Sequence, residues 1–210
     1  MVKRLVERFG FPSERPRDPV ETLILTILSQ NTNDTNRDRA YASLREEFPA
    51  VSEIAKATED RIADAIRVGG LQKQKARSIR EALRRISVDG GPPSLARLAE
   101  MSDDEALSWL LRLPGVGHKT AGIVLLFSFG RPYFPVDTHI RRVLTRVGWI
   151  QGREDPHRRL NVLLPKDPKL MRALHLLLIR LGRTLCRPRN PNCNACPIIG
   201  RCTYGMERTR

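Results

Sequence analysis

Leu113-Pro114-Gly115-Val116-Gly117-His118-Lys119-Thr120-Ala121 reads as a sharp turn that runs straight into a helix. A proline and two glycines end whatever precedes them. Residues 121–127, AGIVLLF, are too apolar for a surface helix, so this helix is predicted to be buried at the centre of the fold. Upstream, Ser102 followed three residues later by Glu105 forms a capping box ahead of Leu107, Trp109, Leu110 and Leu111. The stretch therefore predicts a helix over 102–112, a glycine hairpin, and a helix over 118–129. Most such turns only connect. In a helix–hairpin–helix, however, such glycines let the backbone approach a phosphate, at which the first amides of the second helix point with the positive end of its dipole. A contact made through the main chain of Leu113, Gly115, Val116 and Gly117 carries no base identity, so it would hold DNA of any sequence.

Lys119 follows the hairpin in the first turn of an otherwise apolar helix. A lysine at a helix end ordinarily snorkels to water. A cation near a helix N-terminus opposes the dipole, however, and that repulsion with partial burial is expected to lower its pKa. An unperturbed lysine is neutral in only about one molecule in 2,500 at pH 7, so any depression multiplies the nucleophile available. Val136-Asp137-Thr138-His139 opens the next helix after Pro135. Asp137 is expected as its N-cap, and a carboxylate there, near a lysine on the preceding helix, could also take the amine's proton.

Outward from this core the punctuation is helical. Asp18-Pro19, Asp155-Pro156 and Asp167-Pro168 each place a capping carboxylate before a proline suited to the first helical position. Further helix-length segments are 20–28, 33–48, 58–67, 72–87, 137–148, 156–164 and 168–182, and strand alternation is absent. The fold class is all-α. Gly130-Arg131-Pro132 breaks the chain where its composition changes, which predicts two domains, 20–130 with the hairpin and 1–19 plus 131–210.

The charge follows the same division. Residues 1–111 carry 18 basic and 18 acidic side chains, whereas 112–210 carry 19 and 5, so the whole net charge of +14 lies in the second half. Such an excess points to nucleic acid, with an anionic membrane surface a distant second. Hydrophobic residues make up 40% of the chain, which excludes a disordered basic tail. No apolar run approaches the ~18 residues of a membrane span. MVKRLVERFG at the start lacks an apolar signal region, so the expectation is an intracellular protein, neither secreted nor membrane-bound.

Cys186, Cys193, Cys196 and Cys202 are spaced C-x6-C-x2-C-x5-C. Two disulfides would suit a secreted chain. Zinc sites usually pair their ligands as two close units, and only Cys193 and Cys196 are that close here. An iron–sulfur cubane is larger than one ion and can be spanned by one tight pair with two more distant ligands, so the spacing favours a cluster over zinc while leaving both open. Arg187, Arg189 and Arg201 with Pro188, Pro191 and Pro197 make the loop stiff and basic, and a metal would hold it folded.

LPGVGHKTA at 113–121, VDTH at 136–139 and the four cysteines, in this order and separation, resemble the endonuclease III branch of the helix–hairpin–helix DNA glycosylases over about residues 20–204. The resemblance implies two helical domains flanking a DNA-binding cleft, and a [4Fe–4S] cluster on the four cysteines. It implies that Lys119 attacks C1′ of a damaged nucleotide with Asp137 assisting. The base leaves, a Schiff base forms, and β-elimination nicks the strand. It also implies that Leu71, in GLQKQKA, is a wedge filling the hole left by the flipped base, although an ordinary core leucine is the alternative. Asn31 stands where the family often has an intercalating glutamine, with Gln30 beside it. His139 is expected to orient DNA or Asp137, or to satisfy the core. Arg67, Lys73, Lys75, Arg77, Arg80, Arg84 and Arg85 would grip phosphates beside the wedge. The function implied is a monomeric glycosylase and abasic-site lyase acting on oxidised or ring-saturated pyrimidines in double-stranded DNA. The competing readings are a thymine or uracil mismatch glycosylase, an enzyme acting mainly on abasic sites, and a catalytically silent iron–sulfur DNA-binding module.

Overall fold

A computed structural model describes residues 1–12 and 18–209 of the chain, and all regular structure among them is helical. The chain forms two compact units, Arg17–Phe129 and Met1–Pro16 with Gly130–Arg210.

Helix α2 (Pro19–Leu28) starts the first unit, and Asp18 caps it by accepting from the Val20 and Glu21 N–H groups at 2.9 and 3.0 Å. Its residues Leu23, Ile24, Ile27 and Leu28 are fully buried. Burial of each stabilises the unit by roughly 1.5–3 kcal/mol. Helices α3 (Asp34–Glu47), α4 (Val51–Lys56), α5 (Glu59–Ala65) and α6 (Gln72–Ile86) follow, with α4 and α5 packing on α6 through its stripe Ala76, Ile79, Ala82, Leu83 and Ile86. Helix α7 (Asp103–Leu111) has the expected capping box, in which the Glu105 N–H donates to Ser102 Oγ at 3.3 Å and the Ser102 N–H donates to Glu105 Oε2 at 2.9 Å. The predicted helix over 118–129 is divided. Helix α8 (His118–Ile123) passes into a π-helical turn, Val124–Ser128, in which Val124, Leu125 and Leu126 are all buried. In so uniformly apolar a run, periodicity gives no sign of where the turns widen.

The second unit contains α1 (Val2–Phe9), α9 (Thr138–Val147), α10 (Pro156–Leu163), α11 (Pro168–Thr184) and α12 (Thr203–Arg208). Asp155 and Asp167 cap α10 and α11 as predicted, the latter accepting from Lys169 and Leu170 N–H at 2.9 and 3.2 Å. Helix α11 is the axis of this unit, with α1 and α9 packed on it. Arg180 fixes the end of α1 by donating to the Phe9 carbonyl at 2.7 Å. Where α9 meets α11, Gly182 is essential, since a Cβ there would lie 2.9 Å from the His139 Cβ. Short α4 and α12 leave no period to read. No helix among the described residues is long and apolar enough to cross a membrane.

Candidate active site and cysteine pocket

The hairpin between α7 and α8 is closed by the Val116 N–H donating to the Leu113 carbonyl at 3.2 Å. Gly115 has φ +72°, a left-handed conformation, and a Cβ on it would stand 2.6 Å from the Ser78 Cβ. Both facts require glycine. Gly117 caps α8 in an extended conformation, with nothing within 4 Å of where a Cβ would be. The Leu113 and Val116 side chains are buried, so their main chain is what they could offer a ligand.

Lys119 is the second residue of α8 and is half-buried, with Nζ donating to Ser29 Oγ at 3.3 Å. Ser29 caps the C-terminus of α2 and donates in turn to the Thr26 carbonyl at 2.7 Å. The ammonium therefore sits at the negative end of one helix dipole as well as the positive end of another, a counterweight that sequence alone does not show.

Gln30 Nε2 donates to the Gly115 carbonyl at 2.9 Å, tying the loop after α2 to the hairpin. Asn31 beside it is exposed, with φ +50°. Leu71 also has φ +50° and is 48% exposed, which rules out the core-leucine alternative. The basic face expected around it is smaller than its sequence suggests. Lys75 is only 2% exposed, Arg80 donates to the Ala57 carbonyl at 2.9 Å, and Arg77 pairs with Glu81 at 3.1 Å. Arg67, Lys73, Arg84 and Arg85 remain exposed.

In the other unit Asp137 is half-buried and caps α9, with Oδ1 accepting from the Ile140 N–H at 2.7 Å. The segment leading to it is pinned by two residues to which sequence gives no role. Asn161 Oδ1 accepts from the Phe134 N–H at 2.7 Å, and His175, buried, lies 3.0 Å through Nδ1 from the Pro135 carbonyl. His139 Nδ1 lies 3.2 Å from Arg142, whose guanidinium donates to the Gly182 and Cys186 carbonyls at 2.8 and 3.0 Å. His139 thus belongs to the α9–α11 interface.

The four cysteines line one pocket, with Leu185, Ile199 and Tyr204 among its other walls. Burial pushes the Cys196 and Cys202 thiols up, and the neighbouring cysteines' negative charge pushes them further. Cys196 and Cys202 are thus costly as bare thiolates, and four sulfur donors around one pocket suit a soft, cationic iron–sulfur centre, so the residues fit that group. Arg146 stands over the pocket, donating to Cys186 Sγ at 3.2 Å and to the Arg187 and Pro188 carbonyls at 2.8 and 3.0 Å, with its guanidinium 4.6 Å from the Tyr204 ring centre. Its one legible signal is the i,i+4 spacing from Arg142, which places both on the face of α9 turned to the loop.

By fold and site this is an all-helical, helix–hairpin–helix protein with a pocket lined by four cysteines. The family model described as "HhH-GPD superfamily base excision DNA repair protein" matches residues 24–166. Endonuclease III of Thermotoga maritima is 36% identical over 99% of this chain and 93% of its own, and endonuclease III of Sulfolobus acidocaldarius 33% identical over 93% and 86%. A trapped endonuclease III–DNA covalent intermediate has a similar structure, with a TM-score of 0.80 and 27% identity over 100% of this chain and 95% of that one. The chain belongs to the endonuclease III branch of the HhH-GPD superfamily of base excision DNA repair proteins.

Proposed function

We propose that this chain is a bifunctional DNA glycosylase and abasic-site lyase that removes oxidised or ring-saturated pyrimidines from duplex DNA. The observation that carries the reading is Lys119, a half-buried amine in the first turn of α8, immediately after a hairpin whose Gly117 leaves the main chain open to a phosphate.

The damaged nucleotide is unstacked from the duplex at a cost of a few kcal/mol, with Leu71 and Asn31 filling the space it leaves. Gln30 is committed to the Gly115 carbonyl, which leaves exposed Asn31 as the amide for the orphaned base. The Lys119 amine, once deprotonated, forms a bond to C1′ as the glycosidic C–N bond breaks and the base departs with its electron pair. Asp137 accepts the amine's proton and stabilises the positive charge that develops on the sugar. Opening of the sugar ring gives the iminium, which acidifies the C2′ proton. Loss of that proton breaks the C3′–O3′ bond, and water then hydrolyses the imine to free Lys119. Nicking on the 3′ side therefore follows from the lysine itself.

Cys186, Cys193, Cys196 and Cys202 would hold a [4Fe–4S] cluster, which supplies a cross-link between four points of a loop that has little core of its own. Arg146 screens the charge at the pocket and fixes the 186–188 backbone. The reaction needs no electron from it.

Borohydride reduction in the presence of a lesion-bearing duplex tests the chemistry. Wild type is expected to give a covalent protein–DNA adduct, and Lys119→Ala to give none while still binding the duplex. Absence of an adduct with folded wild type that binds the duplex would overturn the lyase and leave the reading as a DNA-binding module standing.

A further inference from the structure

Lys75 is a lysine that is almost completely buried, and the phosphate-gripping role its sequence context suggests cannot be its own. Its Nζ donates to the Leu28 carbonyl and to the Gly69 carbonyl, both at 2.8 Å. Leu28 is the last residue of α2, so its carbonyl lacks a partner further along the helix, and a cation is favoured at that end. Two residues beyond Leu28 lies Gln30, and three beyond lies Asn31. Two residues beyond Gly69 lies Leu71. Lys75 is also four residues after Leu71, and its own N–H donates to the Leu71 carbonyl at 2.9 Å, closing the first turn of α6. One residue therefore holds Leu71 from both sides and joins its loop to the loop of Asn31.

Those two loops share a backbone feature that is costly at one of them. Asn31 and Leu71 both have φ +50°, a left-handed conformation that asparagine tolerates but that leucine adopts only when its surroundings enforce it. Leu71 is half exposed, so burial of its own side chain does not supply the constraint. Fixed main-chain neighbours do. Gly69 is seated tightly as well, since a Cβ on it would lie 3.1 Å from the Ala40 Cβ and 3.9 Å from Lys75 Nζ.

We propose that Lys75 is a positioning residue, a buried ammonium that clamps the Leu28 and Gly69 carbonyls and so presets Asn31 and Leu71 as one rigid wedge for the space left by a flipped nucleotide. The inference rests on the glycosylase reading above and adds a residue that touches neither DNA nor the reacting sugar. Preorganisation of this kind matters only when a base must be displaced from a stacked duplex. Chemistry on a sugar that is already abasic and single-stranded does not require it.

Four proteins, wild type, Lys75→Met, Leu71→Ala and the double variant, are to be compared on two substrates after a thermal melt confirms folding. The substrates are a duplex carrying a ring-saturated thymine, assayed for base release, and a single strand carrying a preformed abasic site, assayed for nicking. Lys75→Met is expected to lose roughly tenfold or more in kcat/KM on the duplex, because two buried carbonyls are left without their donor. Its nicking of the abasic single strand should change by less than about twofold, and its effect should nearly vanish in the Leu71→Ala background, as coupled residues require. Should methionine prevent folding, Lys75→Gln, which keeps N–H donors on a shorter arm, carries the same comparison. Equal losses on both substrates, or full multiplication of the two single effects, would overturn the clamp while the enzyme reading stands. A folded wild type inactive on both substrates would instead overturn the enzyme reading, and the clamp with it.

Discussion

At the scale of single residues, Gly115 shows how tightly the hairpin is specified. Any side chain there must adopt a left-handed backbone and also move Ser78. Strain and overpacking each cost about 1–3 kcal/mol. Gly115→Ala is therefore expected to fold with a lowered melting temperature and to bind duplex DNA more weakly irrespective of sequence, as titration of undamaged and lesion-bearing duplexes would measure. Undiminished affinity would remove the hairpin from the binding surface. Lys119 is specified differently, by its place between two helix ends. The cap at Gly117 and the hydroxyl of Ser29 hold it on one course, so its reactivity depends on elements about ninety positions apart in the chain.

Among the elements, α9 and α11 approach closely because residue 182 has no side chain. A methyl there would meet the first carbons of His139 and press on α9, whose first turn is capped by Asp137. Gly182→Ala is expected to cost about 1–3 kcal/mol, lowering Tm by roughly 2–4 °C for each kcal/mol in a chain of this size. It should also slow adduct formation with borohydride by moving the Asp137 cap, whereas a variant of unchanged Tm and unchanged adduct yield would mean that the helices adjust freely. The caps at Asp18, Ser102, Asp155 and Asp167 were all legible in advance, because a cap is a local bargain between a side chain and amides two or three residues on. The π-helical turn at Val124–Ser128 was not, because nothing in a run of apolar residues distinguishes hydrogen bonds spanning four residues from those spanning five.

For the whole molecule, the excess of basic residues after position 111 predicts steeply salt-dependent DNA binding. Log affinity should fall linearly with log salt at a slope of about −0.9 for each phosphate neutralised, and a flat response would contradict phosphate-dominated recognition. The four thiols predict a yellow-brown protein that contains iron and unfolds at lower temperature once the iron is chelated. Metal analysis that returned zinc would replace the cluster with a smaller ion. Arg146 makes that loop dependent on α9, since one guanidinium spans a cysteine sulfur, two carbonyls and the Tyr204 ring.

Sequence by itself determined the helical class, the hairpin, the capped helix starts, the nucleophilic lysine as a candidate and the fourfold cysteine set, because each is written in neighbours or in a short spacing. It also misassigned Lys75, which reads as one of seven surface cations and is the buried one. Tertiary structure alone decided that exception, along with the roles of Arg146, Asn161 and His175 and the pairing of Gln30 with the hairpin carbonyl. The physical reason is that burial and hydrogen-bond pairing are properties of what the folded chain brings near, and the carbonyl that Lys75 meets at Leu28 is 47 positions away along it.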